Sequence, residues 1–185
     1  MANPAKSIER RHPLAGSLAA APQVAVVPAE PAFRVSLRGG AEALGALGKA
    51  LGLDLPVKPK TSVRKGSRSA LWLGPDEWLV IDMDGKDPTA ELSGVDALHS
   101  AVDVSHRNAA ILVSGAGAVA TLNAGCPQNL SLAAFPVGAC SRTILGKIEI
   151  VLWRTSDESF RVECWRSFSD YAFTFLNRAA KDCCA

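Results

Sequence analysis

The residue types of a nucleophilic triad stand together at Asp103, Ser105 and His106. A triad needs a base within hydrogen-bond reach of the hydroxyl and an acid that orients the base. The spacing does not supply this. Neighbours along a strand face opposite ways, so Ser105 and His106 diverge, and no Gly-x-Ser-x-Gly turn surrounds the serine. A strand end closing into a turn is the expectation for these residues. His12, His99 and His106 lack the paired spacing of a metal site. Cys126, Cys140, Cys164, Cys183 and Cys184 contain no Cys-x-x-Cys pair, so small buried hydrophobes plus an exposed tail pair are expected rather than zinc ligands or disulfides. Gly115-Ala116-Gly117 precedes a helical pattern, but without a third glycine or a Lys-Ser/Thr it reads as a strand-to-helix turn, not a phosphate cradle. Asp82 and Asp84 sit at a strand exit, and Asp76-Glu77 fill a turn where acids serve the backbone.

What the sequence offers instead is recognition chemistry. Arg107, Arg142, Arg154 and Arg166 border strands or open the last helix, and a guanidinium can grip a carboxylate through two parallel donors. Arg107, Arg142 and Arg166 are therefore candidate anion or interface contacts. Trp72 and Trp78 flank one turn and Trp153 and Trp165 lie on late strands; rings left over after core filling are favoured interface anchors. Trp72 and Trp78 join the candidate interface set.

These side chains must be placed by strands and helices that the pattern makes visible. Phe33, Val35 and Leu37 alternate with polar residues as in a half-buried strand. Leu44, Leu47 and Leu51 share a helical face, with Gly52 placed to cap it. Ala70–Leu73 and Trp78–Ile81 flank Gly74-Pro75-Asp76-Glu77, which predicts a β-hairpin. Asp87 and Pro88 predict a short helix start. Strands over 101–105 and 109–114, a helix over 116–123, a second hairpin about Gly146-Lys147 and a strand through Phe160, Val162 and Cys164 follow. Phe168, Tyr171, Ala172, Phe175, Leu176 and Ala179 then mark the broad apolar face of a final helix. The prediction is an α+β fold: a mainly antiparallel sheet with helices on one face, in duplicated ferredoxin-like order, with half-repeats at about 33–99 and 101–181. Residues 33–182 form the single domain. Residues 1–32, with five prolines and few large apolar side chains, are expected to form an extended arm.

A chain of 185 residues, 48% hydrophobic and 21% charged, can bury a substantial core. A net charge of +2 argues against nucleic acid or an anionic membrane as partner. No apolar run reaches the roughly 20 residues of a membrane span. His12-Pro13 and the Ala-rich stretch after it argue against a secretory signal, so a cytoplasmic protein is expected. The basic stretch 58–68 (Lys58, Lys60, Arg64, Lys65, Arg68) is expected to be a solvated loop.

The stretch Asp103-Val104-Ser105-His106-Arg107, followed by Ile111–Gly115 and Ala118–Leu122, resembles the folate-binding aminomethyltransferase (T-protein) superfamily. With Arg11-His12-Pro13-Leu14, Leu73–Leu79, Phe135-Pro136-Val137-Gly138, Arg142-Thr143 and Arg166-Ser167-Phe168, nearly the whole chain resembles the sarcosine oxidase gamma subunit family. That resemblance implies a T-protein-like fold and a complex with alpha, beta and delta subunits, chiefly the large folate-binding alpha chain. Such a complex demethylates sarcosine oxidatively to glycine with peroxide, and passes the one-carbon unit to tetrahydrofolate. FAD, FMN, NAD, tetrahydrofolate and zinc would lie in the other subunits, leaving this chain without cofactor, metal or catalytic residue. Where the superfamily carries an acid that meets the folate, this chain has Asn129, whose amide cannot serve as a carboxylate base. The alternatives are a folate or anion carrier using Arg107, Arg142 and Arg166, and a stand-alone aminomethyltransferase.

Overall fold

The computed structural model describes residues 13–183. In chain order these form β1 (Ala19–Ala21), β2 (Val24–Pro28), β3 (Phe33–Gly39), α1 (Leu44–Leu51), β4 (Ser62–Lys65), β5 (Arg68–Gly74), β6 (Glu77–Asp82), α2 (Pro88–Leu92), β7 (His99–Asp103), β8 (Asn108–Ser114), α3 (Ala118–Asn123), β9 (Cys140–Leu145), β10 (Ile148–Ser156), β11 (Ser159–Trp165) and α4 (Ser169–Asp182). Local chemistry sets many of the boundaries. Gly52 ends α1 at φ 68°, a left-handed cap that glycine adopts without steric cost. Asp87 opens α2 by accepting the Thr89 N–H, with Pro88 where no N–H is needed.

All strand pairing is antiparallel, in two sheets ordered β4-β5-β6-β3-β7 and β1-β2-β8-β11-β10-β9. The first sheet holds one strand–helix–two strands–helix–strand unit: β3, α1, β5, β6, α2 and β7, in spatial order β5-β6-β3-β7, with β4 as an added edge. The second repeats it with β8, α3, β10, β11 and α4, with β9 as the matching edge. Its fourth strand is β2, which comes from the other end of the chain. The duplication is therefore completed by residues before the first unit.

Each sheet carries its helices on one face and turns the other face toward its partner, giving four layers rather than one sheet and one helical layer. Val35, Leu37, Trp78 and Val80 pack with Leu47 and Leu51 of α1. Ile111, Val113, Phe160 and Val162 pack with Leu122 of α3 and Leu176 of α4. Between the sheets lie Leu71, Leu79, Ile81, Cys140 and Trp153. A bridge between Thr61 and Ala139 joins the two units at one end.

Three expectations need correction. Residues 13–32 are not an extended arm: β1 and β2 pair into the second sheet, and Leu14, Val24 and Val26 are core residues. Backbone pairing with β8 explains this, since Pro28 stands at the strand end where a missing N–H is tolerated. The rest of the proposed arm, residues 1–12, lies outside the described residues. The first unit runs on to Asp103, because β7 spans His99–Asp103 and pairs with β3. The basic stretch is not all solvated loop: Ser62–Lys65 is an edge strand, and the Arg68 side chain is buried against Asp82 and Glu91.

Candidate functional site

The Asp103-to-Arg107 segment joins the two units and carries most of the candidate chemistry. The Ser105 N–H donates to Asp103 Oδ1 at 2.8 Å, and the Ser105 hydroxyl oxygen accepts the backbone N–H of Arg34 at 2.9 Å. Hydrogen bonding from the Ser105 hydroxyl and then from its backbone N–H holds the Asp103 carboxyl below the ordinary carboxylate range. The segment 105–107 is a turn. Ser105 thus ties that turn to β3, and it lies past the end of β7, in the turn rather than on a strand. Pro31, Phe33, Asp103, Ser105, His106 and Arg166 line a largely apolar groove of about 430 Å³ beside it.

The candidate arginines separate. The Arg166 N–H donates to the Arg107 carbonyl at 2.6 Å, which brings those two residues together where β11 ends beside the start of β8. The exposed Arg107 guanidinium lies 5.5 Å from the centroid of the Trp165 ring. Trp165 in turn stacks on Phe168, with centroids 5.8 Å apart and planes 13° apart. Arg142 works elsewhere: it reaches from β9 to Glu77 on β6, with Nη2 2.5 Å from Oε1 and Nη1 3.3 Å from Oε2. Its partners raise its pKa, chiefly through that hydrogen bonding. Arg107 and Arg142 border an inter-sheet cavity of about 50 Å³ that also meets Glu77 and Glu163, space on the scale of one or two waters.

The tryptophans also divide. Trp78 is fully buried and its indole N–H donates to the Pro56 carbonyl at 2.8 Å, so it is a core residue rather than a surface anchor. Trp72, opposite it in the β5–β6 register, is half-buried against the same core. Trp165, 45% exposed, is the ring left at the surface. The signal for it was present, since Phe160, Val162 and Cys164 point into the helical core and the intervening residues must face the other way.

That other face holds the least foreseeable feature. Arg161 and Glu163 are buried between the sheets, where Glu163 accepts from Arg34 Nε at 2.6 Å and from Arg161 Nε at 2.8 Å. Two guanidiniums thus share one carboxylate across the two units. Arg154, 2% exposed, donates to the carbonyls of Leu130, Phe135 and Asp157 and lies 4.6 Å from the Phe160 ring centroid, pinning the 130–135 loop; burial lowers its pKa. Asn129, in the same loop, accepts the Ser131 N–H at 3.0 Å. Its side-chain oxygen serves its own backbone. Burial pushes the Cys140 and Cys164 thiols up to about 12. Among the described residues no group of three metal-ligating side chains converges.

Comparison with known proteins places this architecture. The profile of the Sarcosine oxidase, gamma subunit family matches residues 38–182. The chain belongs to the sarcosine oxidase gamma subunit family. Relatives described as sarcosine oxidase subunit gamma are 36% identical over 75% of this chain and 71% of the protein from Arthrobacter sp., and 30% identical over 90% of this chain and 88% of the protein from Corynebacterium sp. strain U-96. A chain of the heterotetrameric sarcosine oxidase from Corynebacterium sp. U-96, solved with pyrrole 2-carboxylate, superposes with a TM-score of 0.87 at 26% identity, covering 95% of this chain and 97% of that one. The aminomethyltransferase T of the glycine cleavage system from Bartonella henselae gives a TM-score of 0.64 at 13% identity, over 86% of this chain and 49% of that one. The gamma subunit family fold is thus T-protein-like, as the resemblance implied. Within this family member, the Ser105 turn and the Glu163 cluster hold the two units together, while the Arg107–Trp165–Phe168 group stands at the surface.

Proposed function

We propose that this chain is the gamma subunit of a heterotetrameric sarcosine oxidase and supports oxidative demethylation of sarcosine without supplying a catalytic group. The carrying observation is the 0.87 superposition over 95% of the chain onto a chain of such an enzyme. In this reading the partners are alpha, beta and delta subunits, with FAD, FMN, NAD, tetrahydrofolate and zinc held by them, in the cytoplasm. The engagement of the chemistry-bearing side chains supports it. Asp103 and Ser105 fix a turn, Glu163 and Asp82 neutralise buried arginines, and Asn129 accepts the Ser131 N–H. These residues are committed to holding a scaffold, and fold and activity are separable.

The test compares the purified chain with the assembled oxidase on sarcosine, with and without tetrahydrofolate, measuring peroxide and formaldehyde. The complex turns over and the chain alone does not. Turnover by the chain alone would refute the reading. The second reading, a folate or anion carrier, draws on the 430 Å³ groove beside His106 and Arg166. Saturable tetrahydrofolate binding by the isolated chain, lost on Arg166→Ala, would favour it.

A further inference from the structure

Trp165 ends a strand whose inward residues on the same face, Arg161 and Glu163, are covered by the opposite sheet. Beyond that cover the face continues into solvent. There Trp165 is 45% exposed and Phe168 38%, the two rings stacked, and Tyr171 one turn later is also 38% exposed. Tyr171 is held in place, its hydroxyl accepting the Lys147 N–H at 3.2 Å. Rigid exposed aromatics lose little entropy when covered, and adjacent apolar rings of this kind are uncommon on a surface that stays wet. The charge beside them is mixed, since Arg107 and Asp170 line one shallow pocket with Trp165, but the arginine's own pairing sets it apart. Arg34, Arg38, Arg68, Arg142 and Arg161 each meet a carboxylate of this chain. Arg107 is exposed and meets no carboxylate among the described residues; its guanidinium is oriented by the Trp165 ring and by Asn108 Oδ1 at 3.4 Å.

We propose that the Trp165–Phe168 stack and Arg107 form the docking surface for an acidic segment of another subunit of the oxidase, with the rings buried as anchors and Arg107 paired to a carboxylate. This rests on the gamma-subunit reading above. A basic or neutral occupant would leave Arg107 desolvated without a counter-charge, which is costly, whereas an acid gains a planar pair stacked on an aromatic face.

The experiment co-expresses the oxidase subunits with this chain as wild type, Arg107→Glu, Trp165→Ala, or Lys49→Glu, and measures the dissociation constant for this chain. Lys49 is exposed on α1, so its substitution makes the same charge change away from the surface. The milder Arg107→Gln and Trp165→Phe are carried alongside, and thermal unfolding of each chain confirms folding. Arg107→Glu and Trp165→Ala are expected to weaken retention on the order of tenfold or more each, as central aromatic and arginine contacts do. Lys49→Glu keeps wild-type affinity, and added salt weakens wild type more than Arg107→Gln. Wild-type retention of the folded Arg107→Glu and Trp165→Ala chains overturns the surface while leaving the subunit reading intact. Failure of the wild-type chain to bind any oxidase subunit overturns both.

Discussion

Replacing Glu163 by Gln removes one negative charge and almost no volume from the interior. Glu163 is 1% exposed and accepts from Arg34 at 2.6 Å and Arg161 at 2.8 Å, so Gln leaves two buried guanidiniums sharing one neutral oxygen. Breaking a buried pair by deleting one partner costs about 3–5 kcal/mol. That is a large share of the roughly 5–15 kcal/mol that holds a domain folded. At about 2–4 °C per kcal/mol for a chain of this size, the melting temperature should fall by roughly 6–20 °C. Urea unfolding followed by tryptophan fluorescence measures the free-energy loss and a thermal scan the melting temperature, because Trp78 and Trp153 lie in two of the packed clusters. The denaturant slope should stay unchanged. A companion variant separates charge from packing. Arg161→Met keeps the Arg34–Glu163 pair and removes an Nη2 that is buried without a partner. It should cost less than about 2 kcal/mol, the scale of one lost hydrogen bond to a charged group. If Glu163→Gln stays within about 1 kcal/mol of wild type, or if Arg161→Met is the worse of the two, the claim that this carboxylate joins the sheets is refuted.

Further outcomes follow from single sites. Gly115→Ala should destabilise by at least about 2 kcal/mol in the same assay, since φ is +113° and a Cβ would stand 2.3 Å from the Gln23 carbonyl oxygen. Trp78→Phe should cost about 1–3 kcal/mol by stranding the Pro56 carbonyl, whereas Trp165→Phe in the isolated chain should stay within about 0.5 kcal/mol in equilibrium unfolding. Because the Asp103 pKa is depressed below 3.8, its contribution is present above that value and lost as pH falls through the folded-state pKa. Wild type should therefore exceed Asp103→Asn in stability at pH 6, and the gap should close toward pH 2 in acid titrations. With the Cys140 and Cys164 thiols raised to about 12 by burial and Cys183 exposed, native thiol labelling at pH 8 followed by mass spectrometry should modify Cys183 and spare the buried pair.

Local grammar was legible wherever it was self-contained. The Pro75-Asp76 hairpin, the Gly52 cap and the Asp87 start each depend on residues a few positions apart, and each stands where the sequence puts it; the apolar face of α4 does so only in part, since Ala172, Leu176 and Ala179 are buried while Phe168 and Tyr171 stay at the surface. Readings failed where the partner was distant. Val24 and Val26 carry a strand's alternation, but the β8 strand that β2 pairs with lies some 85 residues away in sequence. Proline density nearby made the segment read as an arm. Arg161 and Glu163 look like solvent-facing alternates of Phe160 and Val162 until a second sheet is placed over them, and no single-strand pattern reveals that cover. Gly115 and Gly117 read as a plain turn for a related reason: their role is to admit the Gln23–Val24 backbone and side chain, a non-local neighbour. The site was legible in part. Arg107 and Arg166 do come together, Arg142 is committed to Glu77, and Trp165 takes the surface position that Trp78 was expected to hold.

The most direct test of the subunit assignment is co-expression of this chain, tagged, with the other oxidase subunits, followed by size-exclusion chromatography with light scattering and absorbance at flavin wavelengths. The account predicts that the chain elutes in one yellow species containing a single copy of each of four polypeptides. A yellow, sarcosine-oxidising complex that assembles without it, while this chain elutes by itself, would contradict the account.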